Sequence, residues 1–243
     1  MGCIRSCASI GTFRYETPEN TSLVMPPTIQ WDEVDTVLLD MDGTLLDLKY
    51  DNVLWNERLP ERYASHHGVT QATARATLER HFVETRHTIE HYCLDYWAQF
   101  TQLNIIALHR ELAHLIRYRP HAERFLARLK ETGRRAVLVT NAHRGSLSIK
   151  DQLTGLTKRL DHSFSSHDFR APKESPDFWA QLDDALPFDP SRTLLIDDNA
   201  SVLVAAERYG VAHLMTVTQP DSSRPPRTEL AHPAFNGFDE IMP

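Results

Sequence analysis

Val37-Leu38-Leu39-Asp40-Met41-Asp42-Gly43-Thr44-Leu45 is the stretch on which the fold turns. Three consecutive apolar β-formers without polar alternation suit a strand buried on both faces, and hence a parallel sheet covered by helices. The run closes abruptly on two acids, a glycine and a threonine. Two later runs close in the same way. Ala136-Val137-Leu138-Val139 ends on Thr140 and Asn141, and Leu194-Leu195-Ile196 ends on Asp197 and Asp198. Val211 to Met215 reads as a fourth strand.

Between these runs the apolar spacing turns helical. Ala122, Phe125, Leu126 and Leu129 recur at i, i+3, i+4 and i+7, with Gly133 placed to end the helix. Val202, Ala205, Ala206 and Tyr209 repeat the pattern between Asn199, a candidate N-cap, and Gly210. Ser175-Pro176 supplies an N-cap and first-turn pair ahead of Phe178, Trp179 and Leu182. Strand alternating with helix predicts an α/β, doubly wound (Rossmann-like) parallel sheet. One interval breaks the rhythm. Asp40 to Ala136 is far longer than one crossover helix needs. It carries helical spacing (Thr70 ahead of Leu78, Phe82 and Val83; then Ile105, Leu108, Leu112 and Leu115) and no strand alternation. The predicted organisation is an α/β core of residues 29–48 and 120–243, with a small helical cap subdomain inserted as residues 49–119.

Composition narrows the function classes. The chain has 243 residues, 41% hydrophobic and 24% charged, which excludes a disordered, collagen-like or coiled-coil chain. No apolar run approaches the roughly 18 residues of a membrane span. A net charge of −7 gives no electrostatic reason to bind nucleic acid. Three cysteines (Cys3, Cys7, Cys93) cannot build a disulfide framework and point to a reducing, cytoplasmic compartment. Residues 1–28 read as a tail without regular structure. Gly2 and Ser6 match the short N-myristoylation pattern, with Cys3 and Cys7 as candidate acylation positions, and Met25 is an alternative start.

Ligands of open α/β sheets bind outside the carboxyl ends of the strands. That edge here gathers Asp40, Asp42, Asp197 and Asp198, with Thr140 and Asn141 nearby. Two carboxylates about 4 Å apart repel by roughly 4 kcal/mol at an effective dielectric near 20. Four together need protons or a cation, and an all-oxygen set suits Mg²⁺ bound through one or two carboxylates plus a substrate phosphate. Gly43 permits a sharp turn and leaves backbone N–H groups free for phosphate oxygens. Zinc is not expected at the thirteen histidines.

Asp40-Met41-Asp42-Gly43-Thr44-Leu45 resembles the first signature of the haloacid dehalogenase superfamily, and Thr140, Lys173 and Asp197-Asp198 follow in the order of its remaining three. Three segments are similar to bacterial nucleotidases for GMP and IMP: Val34 to Leu48, Tyr92-Cys93-Leu94-Asp95-Tyr96-Trp97, and Thr140-Asn141-Ala142-His143. The resemblance implies a phosphatase in which Asp40 is the nucleophile, forming an aspartyl-phosphate, and Asp42 the general acid and base. Thr140 would donate to a phosphate oxygen and Lys173 would hold the nucleophile, with Lys158 the other nearby lysine. Gly43, Asn141 and His143 would contact substrate. The implied Mg²⁺ would sit on Asp40, the Asp42 carbonyl and Asp198, with Asp197 behind. Many members carry a third acid after this pair. Here Asn199-Ala200-Ser201-Val202-Leu203 follow, which leaves open whether Asp197 or Asp198 is the inner ligand.

The implied substrate is a purine nucleoside 5′-monophosphate. A sugar or glycolate phosphate, cleaved or isomerised, is the alternative, because the core motifs see only phosphate. A dehalogenase needs neither Asp42 nor the Asp197-Asp198 pair. A phospho-acceptor signalling domain places its paired acids before the acceptor, the reverse of the order here. For the base, Asp51, Asn52 and Asp95 are candidate acceptors of a purine N1–H. Trp55, Tyr92 and Trp97 offer stacking faces, although aromatics at helical spacing also suit a core, and Cys93 beside them reads as a small buried hydrophobe.

Overall fold

Within residues 28–243, the apolar run of the opening motif forms a central strand of a six-stranded parallel sheet. A computed structural model describes residues 28–243; the tail, its acylation pattern and the Met25 start lie outside the described residues. In chain order, β1 (Thr36–Leu39) is followed by α1 (Lys49–Val53), a π-turn over Leu54–Arg58, and α2 (Leu59–His67). Then come α3 (Gln71–Glu84), α4 (Leu94–Thr101), α5 (Ile105–Glu111) and α6 (Ala122–Glu131). The rest is β2 (Arg135–Thr140), α7 (Arg144–Thr154), β3 (His162–Ser165), α8 (Ser166–Phe169), α9 (Pro176–Ala185), β4 (Thr193–Ile196), α10 (Ala200–Tyr209), β5 (His213–Val217) and β6 (Ala234–Phe235). The strand order is β3-β2-β1-β4-β5-β6.

Burial explains the absence of alternation in the strands. All four residues of β1 are buried, and successive side chains enter different cores. Val37 and Leu39 pack with Phe125, Leu126 and Leu129 of α6. Leu38 packs with Phe178 and Trp179 of α9 and Val202 of α10. Helices therefore cover both faces, as a doubly wound sheet requires. The caps act as their residue types dictate. Asn199 accepts the backbone N–H of Ser201, Ser175 that of Asp177 and Thr70 that of Thr73, while Gly210 stops α10 at φ 113°.

Two strands were not legible in the sequence. β3 is an edge strand, with His162 exposed and Ser163 half-buried, so it lacks an apolar run. β6 contributes only two residues on the opposite edge. The fourth strand begins at His213, two residues later than its apolar run. Helices α1 to α5 fill the interval between β1 and α6. They share a separate apolar cluster of Tyr50, Leu54, Leu59, Leu78, Leu94, Trp97, Ile105, Leu108 and Leu112. Among the described residues no helix is long and apolar enough to cross a membrane.

Candidate active site at the carboxyl edge of the sheet

Register places the polar strand ends side by side. Leu39 is level with Leu138 of β2 and with Ile196 of β4. The next residues, Asp40 and Asp197, thus emerge together beside Thr140. Lys173 reaches them from the loop between α8 and α9. Its backbone is fixed by Asn141 Oδ1, which accepts its N–H at 2.9 Å, and by Trp179 Nε1, which donates to its carbonyl at 2.8 Å. The ammonium group donates to Asp40 Oδ1 and Asp197 Oδ2, both at 2.6 Å, and to the Val139 carbonyl at 3.1 Å. All three donors of the buried ammonium are satisfied, as burial of a charge demands. Burial pushes the Asp40 carboxyl up to about 7, Lys173 pulls against that, and Asp197 and Asp42 add to it. Burial likewise lifts Asp197 to about 6, opposed by Lys173. Lys173 itself stays charged: the two carboxylates outweigh its burial.

The turn after β1 is set by Gly43, whose φ is +90°. A Cβ at Gly43 would stand 2.7 Å from Asp198 Cγ, so the position needs glycine for conformation and for clearance. The Gly43 N–H is not free for phosphate, contrary to the sequence expectation. It donates to the Leu46 carbonyl at 2.8 Å and closes the turn. Asp42 leans the other way, toward Lys150 of α7. Lys150 Nζ lies 2.6 Å from Asp42 Oδ1 and 2.8 Å from Asp51 Oδ1, and its side chain is 1% exposed. Burial opposes the Lys150 charge, but the two carboxylates outweigh it and raise its pKa. Burial pushes Asp51 up to about 7, with Asp42 adding and Lys150 opposing.

Asp40, Asp197 and Asp198 each bring a carboxylate oxygen within 4.8 Å of the other two. This hard, all-oxygen set fits Mg²⁺. The two acids after β4 differ in commitment. Asp197 is 1% exposed and has both oxygens engaged, one by Lys173 and one by the Asn199 N–H at 2.9 Å. Asp198 gives one oxygen to Arg227 at 3.0 Å, so its other oxygen is the freer ligand. Burial and Asp40 lift Asp198 to about 6, against Arg227.

The remaining expected residues divide. Thr140 is 1% exposed, and its Oγ accepts the Ala142 N–H at 3.0 Å, which leaves its hydroxyl proton to donate into the cavity it lines. The Asn141 side chain is spent on the scaffold: its oxygen holds Lys173 and its amide donates to Glu174 at 3.0 Å. His143 lines the cavity from the start of α7, where its Nδ1 accepts the Gly145 N–H. Among the base-reading candidates, Asn52 donates to Asp221 at 2.6 Å, and Asp95 is 87% exposed and does not line the cavity. Asp51 lines it but is committed to Lys150. Trp97 is fully buried in the inserted helices, whereas Trp55 and Tyr92 reach the cavity. Cys93 is half-buried beside His143 and His167, not a core residue.

Sequence reasoning missed Lys150, Arg227 and Glu174. Glu174 accepts from Tyr92 at 2.7 Å, Asn141 at 3.0 Å and Asn199 at 3.2 Å, tying the inserted helices to two loops at the carboxyl edge of the sheet. Its place directly after Lys173 was the only signal in the sequence.

The cavity above this edge has a volume of about 750 Å³, within the roughly 300–1,000 Å³ of small-molecule sites. Asp40, Asp42, Thr140 and Lys173 line its floor. Trp55, Glu79, Phe82 and Arg86 of the inserted helices line its far side.

Fold and constellation together define a family. The sequence matches the haloacid dehalogenase-like hydrolase family over residues 34–210, and the chain belongs to that family and is a hydrolase. The chain is 39% identical over 215 residues to the GMP/IMP nucleotidase YrfG of Escherichia coli K12, covering 88% of this chain and 97% of that one. The Shigella flexneri counterpart shows the same figures. A phosphatase of the same family from Thermococcus onnurineus superimposes with a TM-score of 0.70 at 18% identity, covering 85% of this chain and 95% of that one. CbbY of Rhodobacter sphaeroides, solved with phosphate, gives 0.55 at 16% identity, with 83% and 92% covered. These two likenesses carry the fold.

Proposed function

We propose that this chain is a Mg²⁺-dependent, cytoplasmic phosphatase for purine nucleoside 5′-monophosphates of the GMP and IMP type, working through an aspartyl-phosphate on Asp40. The observation that carries the reading is the buried Lys173 ammonium held between Asp40 and Asp197, on the floor of a cavity whose far side is made by the inserted helices. The similarity to the GMP/IMP nucleotidase supports the choice of substrate.

Asp40 attacks phosphorus while Lys173 fixes its other oxygen and offsets the charge that develops on transfer. Asp42 gives a proton to the departing ribose oxygen, then takes one from the water that hydrolyses the phosphoenzyme. The Thr140 hydroxyl donates to a phosphate oxygen. Asp40, the Asp42 carbonyl and Asp198 hold Mg²⁺, with Asp197 supporting from behind. The ion, when bound, neutralises phosphate charge.

The inserted helices act as the cap that selects the base. Glu79, Phe82 and Val83 follow i, i+3 and i+4 on α3, Arg86 lies in the turn just after it, and all four line the cavity. Phe82 and Trp55 give the purine an apolar bed. The Glu79 carboxylate accepts N1–H and the Arg86 guanidinium donates to the 6-oxo group. These residues replace Asp51, Asn52 and Asp95 as the base readers. AMP presents an amino donor and a bare N1, so the same pair is mismatched. Such a mismatch costs up to about 10⁴ in kcat/KM. A phosphate-release panel of IMP, GMP, AMP, pyrimidine monophosphates and a sugar phosphate tests the reading. IMP and GMP should lead by a wide margin. Equal kcat/KM across the panel leaves only a general capped phosphatase.

A further inference from the structure

Three side chains outside the aspartate site meet at the seam between the inserted helices and the sheet. Cys93 precedes α4 and occupies its N-cap position without spending its side chain on a cap. His143 starts α7, and His167 lies in α8. One ligand atom from each lies within 4.8 Å of the other two. The two imidazoles are edge to face, with centroids 4.8 Å apart. His167 Nε2 is buried and has no hydrogen-bond partner among the described residues. A buried ring nitrogen left unpaired is costly unless something binds it. Asp95 adds an oxygen 3.7 Å from His143 Nε2.

We infer that Cys93, His143 and His167, with Asp95 beside them, form a second metal site, selective for zinc, that clamps the inserted helices to the sheet. One thiolate, two imidazoles and one carboxylate make a tetrahedral set of the kind Zn²⁺ takes. Mg²⁺ prefers the all-oxygen set at the strand ends, so ligand softness separates the two ions. The insert supplies the sulfur and the sheet domain supplies both imidazoles, so an ion here adds to the Tyr92–Glu174, Asn52–Asp221 and Lys150–Asp51 contacts that already join the two parts.

Cys93 releases its thiol proton to solvent on ligation. His167 binds as a neutral ring through its unpartnered Nε2. His143 currently accepts the Gly145 N–H on Nδ1. Ligation through Nε2 moves its proton to Nδ1 and gives up that one neutral bond. Because His143 lines the cavity, an ion on it also restrains the cavity wall. On the phosphatase reading above, zinc at this site slows turnover without displacing Mg²⁺.

The test uses the full chain carrying Cys3→Ser and Cys7→Ser, so that Cys93 is the one remaining thiol of the three. Co²⁺ serves as the spectroscopic probe. A single equivalent should produce a thiolate-to-cobalt charge-transfer band with tetrahedral ligand-field bands, and Zn²⁺ should displace it. Cys93→Ser should remove the charge-transfer band, and His167→Gln should weaken Co²⁺ binding by about tenfold or more. Absence of the band, or its persistence in Cys93→Ser, overturns the site. Zinc should also inhibit p-nitrophenyl phosphate turnover at saturating Mg²⁺, with Cys93→Ser resistant. Equal zinc sensitivity in Cys93→Ser places the inhibition at the aspartates and overturns the clamp. The cobalt spectra decide the site even if the chain hydrolyses no phosphomonoester, so the two readings fail separately.

Discussion

Replacing Lys150 by Met should unfold this protein more readily than any loss of apolar contact at that position explains. Met conserves most of the stem and removes the charge. Lys150 is 1% exposed and its ammonium faces Asp42 Oδ1 at 2.6 Å and Asp51 Oδ1 at 2.8 Å, with the Tyr50 ring at 5.1 Å. Without it, two carboxylates with 19% and 16% exposure face each other unpaired. Breaking a buried ion pair by removing one partner costs about 3–5 kcal/mol. For a domain of this size that corresponds to a fall in Tm of roughly 6–20 °C. The pH dependence has a definite sign. Asp51 already sits at about 7 in the folded chain, above its unfolded value, and loss of Lys150 raises it further. A carboxyl with a raised folded pKa stabilises the fold when protonated, and that contribution is lost as pH rises through the folded value. The deficit of Lys150→Met should therefore be largest at pH 8 and shrink toward pH 6. Adding Asp51→Asn removes one of the two charges and should recover about half of the loss. Urea unfolding followed by circular dichroism at both pH values measures all four variants of the cycle. A deficit below about 1 kcal/mol, or no recovery with Asp51→Asn, refutes the view that Lys150 neutralises this pair.

Asp40→Asn should keep the fold and retain less than about 1% of kcat, because it removes the attacking oxygen and preserves the shape; rapid-quench phosphate release checks it. Asp42→Asn should hurt nucleotide turnover far more than p-nitrophenyl phosphate turnover, since nitrophenolate leaves with little need of a proton; equal losses argue against a proton donor at Asp42. The rise in Tm caused by Mg²⁺ should be small near pH 5.5 and grow through pH 7.5, because protons compete for Asp40 and Asp198, which sit at about 7 and 6. Gly43→Ala should weaken Mg²⁺ binding, read by calorimetry, because its Cβ would stand 2.7 Å from Asp198 Cγ at a φ of +90°.

The sequence by itself determined the parts of this protein that depend on neighbouring residues alone. Thr36–Leu39, Arg135–Thr140 and Thr193–Ile196 form strands where unbroken apolar runs demanded them, because a strand covered on both faces has no polar position to alternate. Asn199, Ser175 and Thr70 cap helices where their short polar side chains reach the first free N–H groups. Asp40, Asp197 and Thr140 share one edge because strand register fixes where each run must end. Only the tertiary structure decided where side chains finish. Trp55 and Trp97 sit in one insert with similar local spacing, yet one lines the cavity and the other is buried, because neighbouring helices choose the face. Lys150 lies in a helix where a lysine reads as solvated surface. It is buried because Asp42 and Asp51 arrive beside it from the other side of the fold. Arg227 meets Asp198, and Cys93 meets His143 and His167, in the same way. A charge or a metal ligand takes its role from its partner, and those partners are distant in the chain, so only folding brings them within reach.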